Sequence, residues 1–211
     1  MSIKLCKWVL ILLVTVLGAC SPKGAQYYEE LDLVYTNYNN TFDFKSKGTF
    51  AIPDSVIKIT GNVFNGTGRP AMVNPVYGNT IIAELKKNMQ AYGWTLVPKT
   101  SNPDVILLPS AMTTTEIYYW YDWAYWGWWY PGWYPGWGWY YPYYPTYATA
   151  YRYGSVFVQM VDATVKGNGE NIPVVWTAIF NGLAEGDATN INARITTGLG
   201  KAFAQSPYLK Q

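Results

Sequence analysis

The chain has 211 residues, with 15 basic against 13 acidic side chains, two cysteines and no histidine. Without histidine, Ser-His-Asp and Cys-His nucleophile systems and His-ligated zinc are excluded, so carboxylates, lysine, tyrosine and serine remain as catalytic groups. The length suits one domain with a proper core behind a short leader.

The leader comes first. Lys4 and Lys7 precede an apolar run, Val9 to Leu17, broken only by Thr15. Leu17-Gly18-Ala19-Cys20 follows, and small residues before a cysteine have the layout of a secretory signal ending in a bacterial lipobox. The run is too short to span a bilayer, which takes ~20 apolar residues. Residues 1–19 are therefore expected to be removed and Cys20 to be acylated. Two or more acyl chains give stable attachment where one does not, so the expected partner of the N-terminus is a membrane. Ser21 stands where an aspartate usually signals inner-membrane retention, which favours the outer membrane. Residues 20–41 are expected to form the lipidated N-terminus and tether. Removing Lys4 and Lys7 takes the 15 basic residues to 13, equal to the acidic count. No nucleic-acid footprint survives. With Cys6 discarded and Cys20 acylated, no internal disulfide is possible.

Residues 42–211 read as a single domain. Thr49 to Ile52 is a short strand closed by Pro53, and Val56 to Thr60 is another. Gly61 to Pro70 is a loop. Asn74 and Pro75 mark a helix start, and Ile81, Ile82, Leu85, Met89 and Tyr92 share one face. Gly93 is placed to end that helix, and Trp94 to Val97 is a short strand. After Asn102-Pro103-Asp104, Val105 to Leu108 is apolar on both faces, as in a central strand, and β-formers continue to Tyr118. A partner strand runs from about Tyr151 to Asp162, Lys166 to Gly169 turns, and Ile172 to Leu183 returns with Ile172, Val174, Trp176, Ala178 and Phe180 on one face. A helix from Ala188 to Ala204 closes the chain, with Asp187 as its cap and Ile191, Ile195, Leu199 and Phe203 spaced by four. Gly198 and Gly200 weaken it and suggest close packing on the sheet. The expected class is α+β, a mainly antiparallel sheet with both helices on one face and a long aromatic hairpin tip.

That tip, residues 118–151, is compositionally unlike the rest. Trp120, Trp123, Trp126, Trp128, Trp129, Trp133, Trp137 and Trp139 crowd together among tyrosines, with Asp122 as the single charge. Its prolines and glycines exclude a membrane helix. Three uses stay open. The segment could pack on itself. It could contact an envelope protein or the lipid interface, since Tyr and Trp suit wet interfaces. It could stack sugar rings, although its sequence offers little besides Asp122 to bind hydroxyls. Trp123, Trp126, Trp128, Trp129, Trp133, Trp137 and Trp139 are the candidate binding residues.

Several short motifs stand in a particular order. Asp43-Phe44 and Thr49-Phe50-Ala51-Ile52-Pro53 follow the lipobox. Ala91-Tyr92-Gly93-Trp94, Asn102-Pro103-Asp104-Val105, the aromatic hairpin, Val161-Asp162-Ala163 and Val175-Trp176-Thr177-Ala178 come next. Together they resemble the bacterial lipoproteins grouped as domain of unknown function 4136, over Phe42 to Tyr208. The resemblance implies envelope placement and an α/β sandwich. It implies no activity and transfers no site residue.

Remaining constellations are weaker. Asp104, Asp162 and Asp187 could serve acid/base work, but strand-end and cap roles explain each singly. Gly66-Thr67-Gly68 lacks the context of a phosphate loop. Asp54-Ser55-Val56 resembles a short bacterial O-glycosylation signal. The expected protein is non-enzymatic, with no cofactor and no metal. A glycan-binding lipoprotein and a carboxylate-dependent hydrolase are the alternatives.

Overall fold

The computed structural model describes residues 33–59, 70–112, 126, 129, 139–142, 154–165, 171–180 and 188–211. Eight strands are β1 (Val34–Tyr38), β2 (Thr49–Ala51), β3 (Ile57–Ile59), β4 (Thr95–Leu96), β5 (Val105–Met112), β6 (Trp139–Tyr140), β7 (Val156–Asp162) and β8 (Ile172–Phe180); the two α-helices are α1 (Pro75–Ala91) and α2 (Ala188–Ala204), all among the described residues. The main sheet runs β1-β8-β7-β5-β2-β4, with β3 on β5 and β6 on β8.

The sheet is mixed, which corrects the expectation of a mainly antiparallel one. β1–β8, β5–β7 and β7–β8 are antiparallel, while β2–β4, β2–β5, β3–β5 and β6–β8 are parallel. The reason lies in connectivity. α1 intervenes between β3 and β5, and a strand–helix–strand crossover returns the chain in the same direction. Only the later strands follow one another as neighbours. The sheet also starts earlier than the boundary at residue 42, because β1 pairs with β8 from Val34↔Phe180 to Tyr38↔Trp176.

β5 is central and almost wholly buried. Pro109 sits within it without breaking it. Along one edge β5 pairs with β2 up to Ile106 and with β3 from Ser110. Pro109 falls between these two partners, where a missing N–H costs no ladder bond on that edge.

Both helices pack on one sheet face. α1 begins where Asn74 Oδ1 accepts from Val76 N at 3.0 Å, with Pro75 in the first turn. It buries Ile81, Ile82, Leu85 and Met89, and α2 buries Ile191, Ile195, Leu199 and Phe203, against Val105, Leu107, Val158 and Trp176. Asp187, the expected cap, lies outside the described residues. Gly93 follows α1 with φ of 93°, and a Cβ there would meet Gln211 Cβ at 2.8 Å. That contact belongs to a C-terminal clasp. Gln211 N donates to Tyr92 O at 2.8 Å, Trp94 Nε1 to Leu209 O at 2.7 Å and Trp176 Nε1 to Ser206 Oγ at 2.9 Å.

The two helical glycines differ. A Cβ at Gly198 would stand 3.2 Å from Phe180 Cδ1, whereas Gly200 has nothing within 4 Å. Gly198→Ala is therefore expected to destabilise by about 1 kcal/mol, as overpacking outweighs the gain in helix propensity. Gly200→Ala is expected to stabilise by up to about 1 kcal/mol. Urea midpoints of the two variants check the pair.

One expected face is split. Trp176, Ala178 and Phe180 point to the helices, but Ile172 and Val174 join the opposite cluster. The register shifts where Met160↔Trp176 gives way to Val161↔Val174, leaving Val175 as an extra residue. A bulge of this kind exchanges the faces beyond it.

Candidate functional site

The sheet face away from the helices is also apolar. Ala51, Ile57, Ile106, Leu108, Val161, Ile172 and Val174 form a second buried cluster. A sheet apolar on both faces needs cover on both. No described helix covers this face; Trp126, Trp129 and Tyr141 do. Trp126 is 0% exposed and Trp129 8%, and both belong to this cluster, with Tyr141 packed against it. Trp129 N donates to Trp126 O at 3.0 Å, so the two indoles are set by one tight turn. Lys99, in the short turn Lys99–Ser101 before β5, holds Trp129 twice. Its Nζ donates to Trp129 O and lies 5.1 Å from the ring centroid.

Trp126 and Trp129 are therefore core residues, and neither presents a surface to a partner in this arrangement. Trp139 lies in β6, which runs parallel to Ile172 and Pro173, and its neighbour Tyr140 is exposed. The long aromatic hairpin expected from the sequence is not confirmed. Cys20, Trp123, Trp128, Trp133 and Trp137 lie outside the described residues.

Under this cover runs a neutral polar pair. Gln159 of β7 and Thr177 of β8 face each other in register and are both buried. Gln159 Nε2 donates to the Tyr141 hydroxyl. Gln159 Oε1, Thr177 Oγ1 and Trp126 Nε1 are buried without a hydrogen-bond partner among the described residues, and each such group carries a desolvation cost of about 1–3 kcal/mol. The sequence signal was there, a glutamine amid Val158, Met160 and Val161, but only the sheet order sets it beside Thr177.

Asp104 and Asp162 do structural work. Asp104 Oδ2 accepts from Gly48 N at 3.0 Å, Thr49 N at 2.9 Å and Thr49 Oγ1 at 2.7 Å, while Asp104 N donates back to Thr49 Oγ1 at 2.9 Å. Asn102 has φ of 49°, which turns the chain into position. Partial burial pulls the Asp104 carboxyl upward, but the Gly48 and Thr49 donors and nearby Lys47 outweigh it and hold its pKa below the usual carboxylate value. Asp162 Oδ1 accepts from Thr164 N at 2.9 Å and Thr164 Oγ1 at 2.6 Å, a local turn. No group of three His, Cys, Asp or Glu suited to a metal occurs among the described residues. No described helix is long and apolar enough to cross a membrane.

A mixed sheet with two helices on one face and tryptophans on the other defines an α+β domain. Its family is also shown: the profile described as Domain of unknown function (DUF4136) matches residues 34–208, and the chain belongs to that family. The chain is similar to a crystal structure of a DUF4136 family protein from Bacteroides thetaiotaomicron, with 31% identity, a TM-score of 0.68, and coverage of 85% of this chain and 97% of that one. A PDZ domain protein from Parabacteroides distasonis gives 14% identity and a TM-score of 0.45, covering 85% of this chain and 37% of that one. A PelC dodecamer from Paraburkholderia phytofirmans gives 13% identity and a TM-score of 0.37, covering 85% and 98%. No curated protein matches.

Proposed function

We propose that this chain is a non-enzymatic lipoprotein of the bacterial envelope, anchored in the outer membrane through acylated Cys20, whose Trp/Tyr-rich segment contacts an envelope protein or the membrane interface. The observation that carries it is Leu17-Gly18-Ala19-Cys20 directly after the apolar run. Ser21 supports the outer membrane. The non-enzymatic reading is supported by the lack of histidine and by the local bonds that engage Asp104 and Asp162. Because Trp126 and Trp129 sit in the core, Trp123, Trp128, Trp133, Trp137 and Trp139 are the tryptophans assigned to the contact.

Cys20→Ser is the test of the anchor. Wild type is expected to incorporate labelled palmitate and to partition with membranes, and the variant to lose both. Equal partitioning without label would overturn the reading. Binding is tested by substituting Trp123, Trp128, Trp133, Trp137 and Trp139 singly and comparing co-purified envelope proteins. A glycan-binding role is the second reading, in which rings of the same Trp/Tyr-rich segment stack on sugar faces. Tryptophan fluorescence during oligosaccharide titration separates the two.

A further inference from the structure

Asp54-Ser55-Val56 is the single place in the chain where an aspartate precedes serine or threonine. The structure sets it in the bend between β2 and β3, after Pro53 has ended the first strand. Asp54 is exposed and Ser55 partly exposed. Ser55 Oγ donates to Asp54 Oδ1 at 2.9 Å, so the hydroxyl is held beside the carboxylate at the surface. Val56 is different. It is 1% exposed, its carbonyl accepts from Val73 N at 2.9 Å, and its side chain lies against Gly78. The folded domain thus presents the acceptor hydroxyl but hides the third residue of the motif.

We propose that Ser55 is an O-glycosylation site, modified after export and before β3 docks on β5. An enzyme that reads Asp-Ser-Val needs access to the valine, which the folded domain denies. The finished domain nevertheless accommodates the product, because a substituent on Ser55 Oγ leaves from a surface bend. The co-reactants are a glycosyltransferase and a glycosyl phosphate donor. Ser55 Oγ attacks the anomeric carbon, the new O–C bond forms as the C–O bond to phosphate breaks, the phosphate leaves with the bonding pair, and the hydroxyl proton passes to a base of the transferase. The competing hydroxyl nearby is Thr49, but its Oγ1 both donates to and accepts from Asp104.

This site rests on the export reading above, and one digest tests both. The full-length protein is purified from its native membrane, unfolded and cut with trypsin. The Gly48–Lys58 peptide is expected to carry the added mass of at least one sugar residue. Ser55→Ala and Asp54→Ala are each expected to remove that mass while the circular dichroism of the protein stays unchanged. An unmodified peptide, or a modification mapped to Thr49, overturns the proposal. Acylation is read separately on the Cys20–Lys23 peptide, so loss of the lipid marks failure of the anchor reading, whatever the state of Ser55.

Discussion

Trp126→Ala is expected to lower stability by about 3–5 kcal/mol, the range for removing a buried aromatic side chain. Trp126 is 0% exposed and contributes to the cluster of Ile57, Ile106, Leu108, Val161 and Val174. Its indole N–H has no hydrogen-bond partner among the described residues, so the loss is one of apolar packing. Trp126→Phe keeps most of the ring and is expected to lose less than half as much. Trp129→Ala should fall between them, since that residue is 8% exposed and its contact with Lys99 adds about 0.5–1 kcal/mol. Urea unfolding followed by circular dichroism ranks the three. Equal midpoints for Trp126→Ala and wild type would show that the aromatic segment does not cover the sheet. The ranking also governs how binding is studied. Deleting residues 122–147 removes Trp126, Trp129 and Tyr141 from the core along with any contact surface, and partner loss would then report unfolding. Single substitutions at Trp123, Trp128, Trp133, Trp137 and Trp139, each with its urea midpoint measured, keep partner loss separate from unfolding.

The second large effect is expected at Asp104. One carboxylate oxygen receives three donors from the start of β2. Asp104→Ala leaves Gly48 N and Thr49 N without that acceptor, and the expected loss is about 2–4 kcal/mol, as for hydrogen bonds to a charged group. Asp104→Asn can keep an oxygen in the same place, so it isolates the charge and should cost about 1 kcal/mol. The pH dependence has a definite sign. The carboxyl pKa is lower in the folded state than its usual value. Its contribution is complete above the unfolded pKa, near 4, and is lost as pH falls through the folded value. Wild type should lose more stability than Asp104→Asn between pH 6 and about 3. Parallel losses in the two proteins would assign the acid sensitivity to other carboxylates.

α1 was legible in the sequence because its signals are local. Asn74, Pro75 and the spacing of Ile81, Leu85 and Met89 lie within one element, and helix geometry alone decides which side is buried. α2 was legible over the same residues that the structure assigns, and the reason for Gly198 followed from Phe180. The antiparallel run β5–β7–β8 was legible with its partners, but the pairings of the shorter strands were not. Alternation along a strand states which residues share a face and is silent on direction, so the parallel pairing of β2 and β3 with β5 went unread. β1 falls within the stretch that reads as tether, since Val34–Tyr38 becomes a strand only by pairing with β8. The split face of β8 escaped for a related reason, because a bulge exists only between two strands.

The candidate site shows the same division. The sequence by itself determined that Trp and Tyr crowd into one segment, that Leu17-Gly18-Ala19-Cys20 follows an apolar run, and that histidine is absent, because composition and short motifs need no partner to be read. Tertiary structure alone decided that Trp126 and Trp129 turn inward, that Gln159 meets Thr177, and that Asp104 binds the chain at Gly48 and Thr49. The physical reason is the second apolar face of the sheet. Local sequence makes β5, β7 and β8 apolar on both sides, but only the assembled sheet exposes a surface that must be covered, and Trp126 and Trp129 cover it.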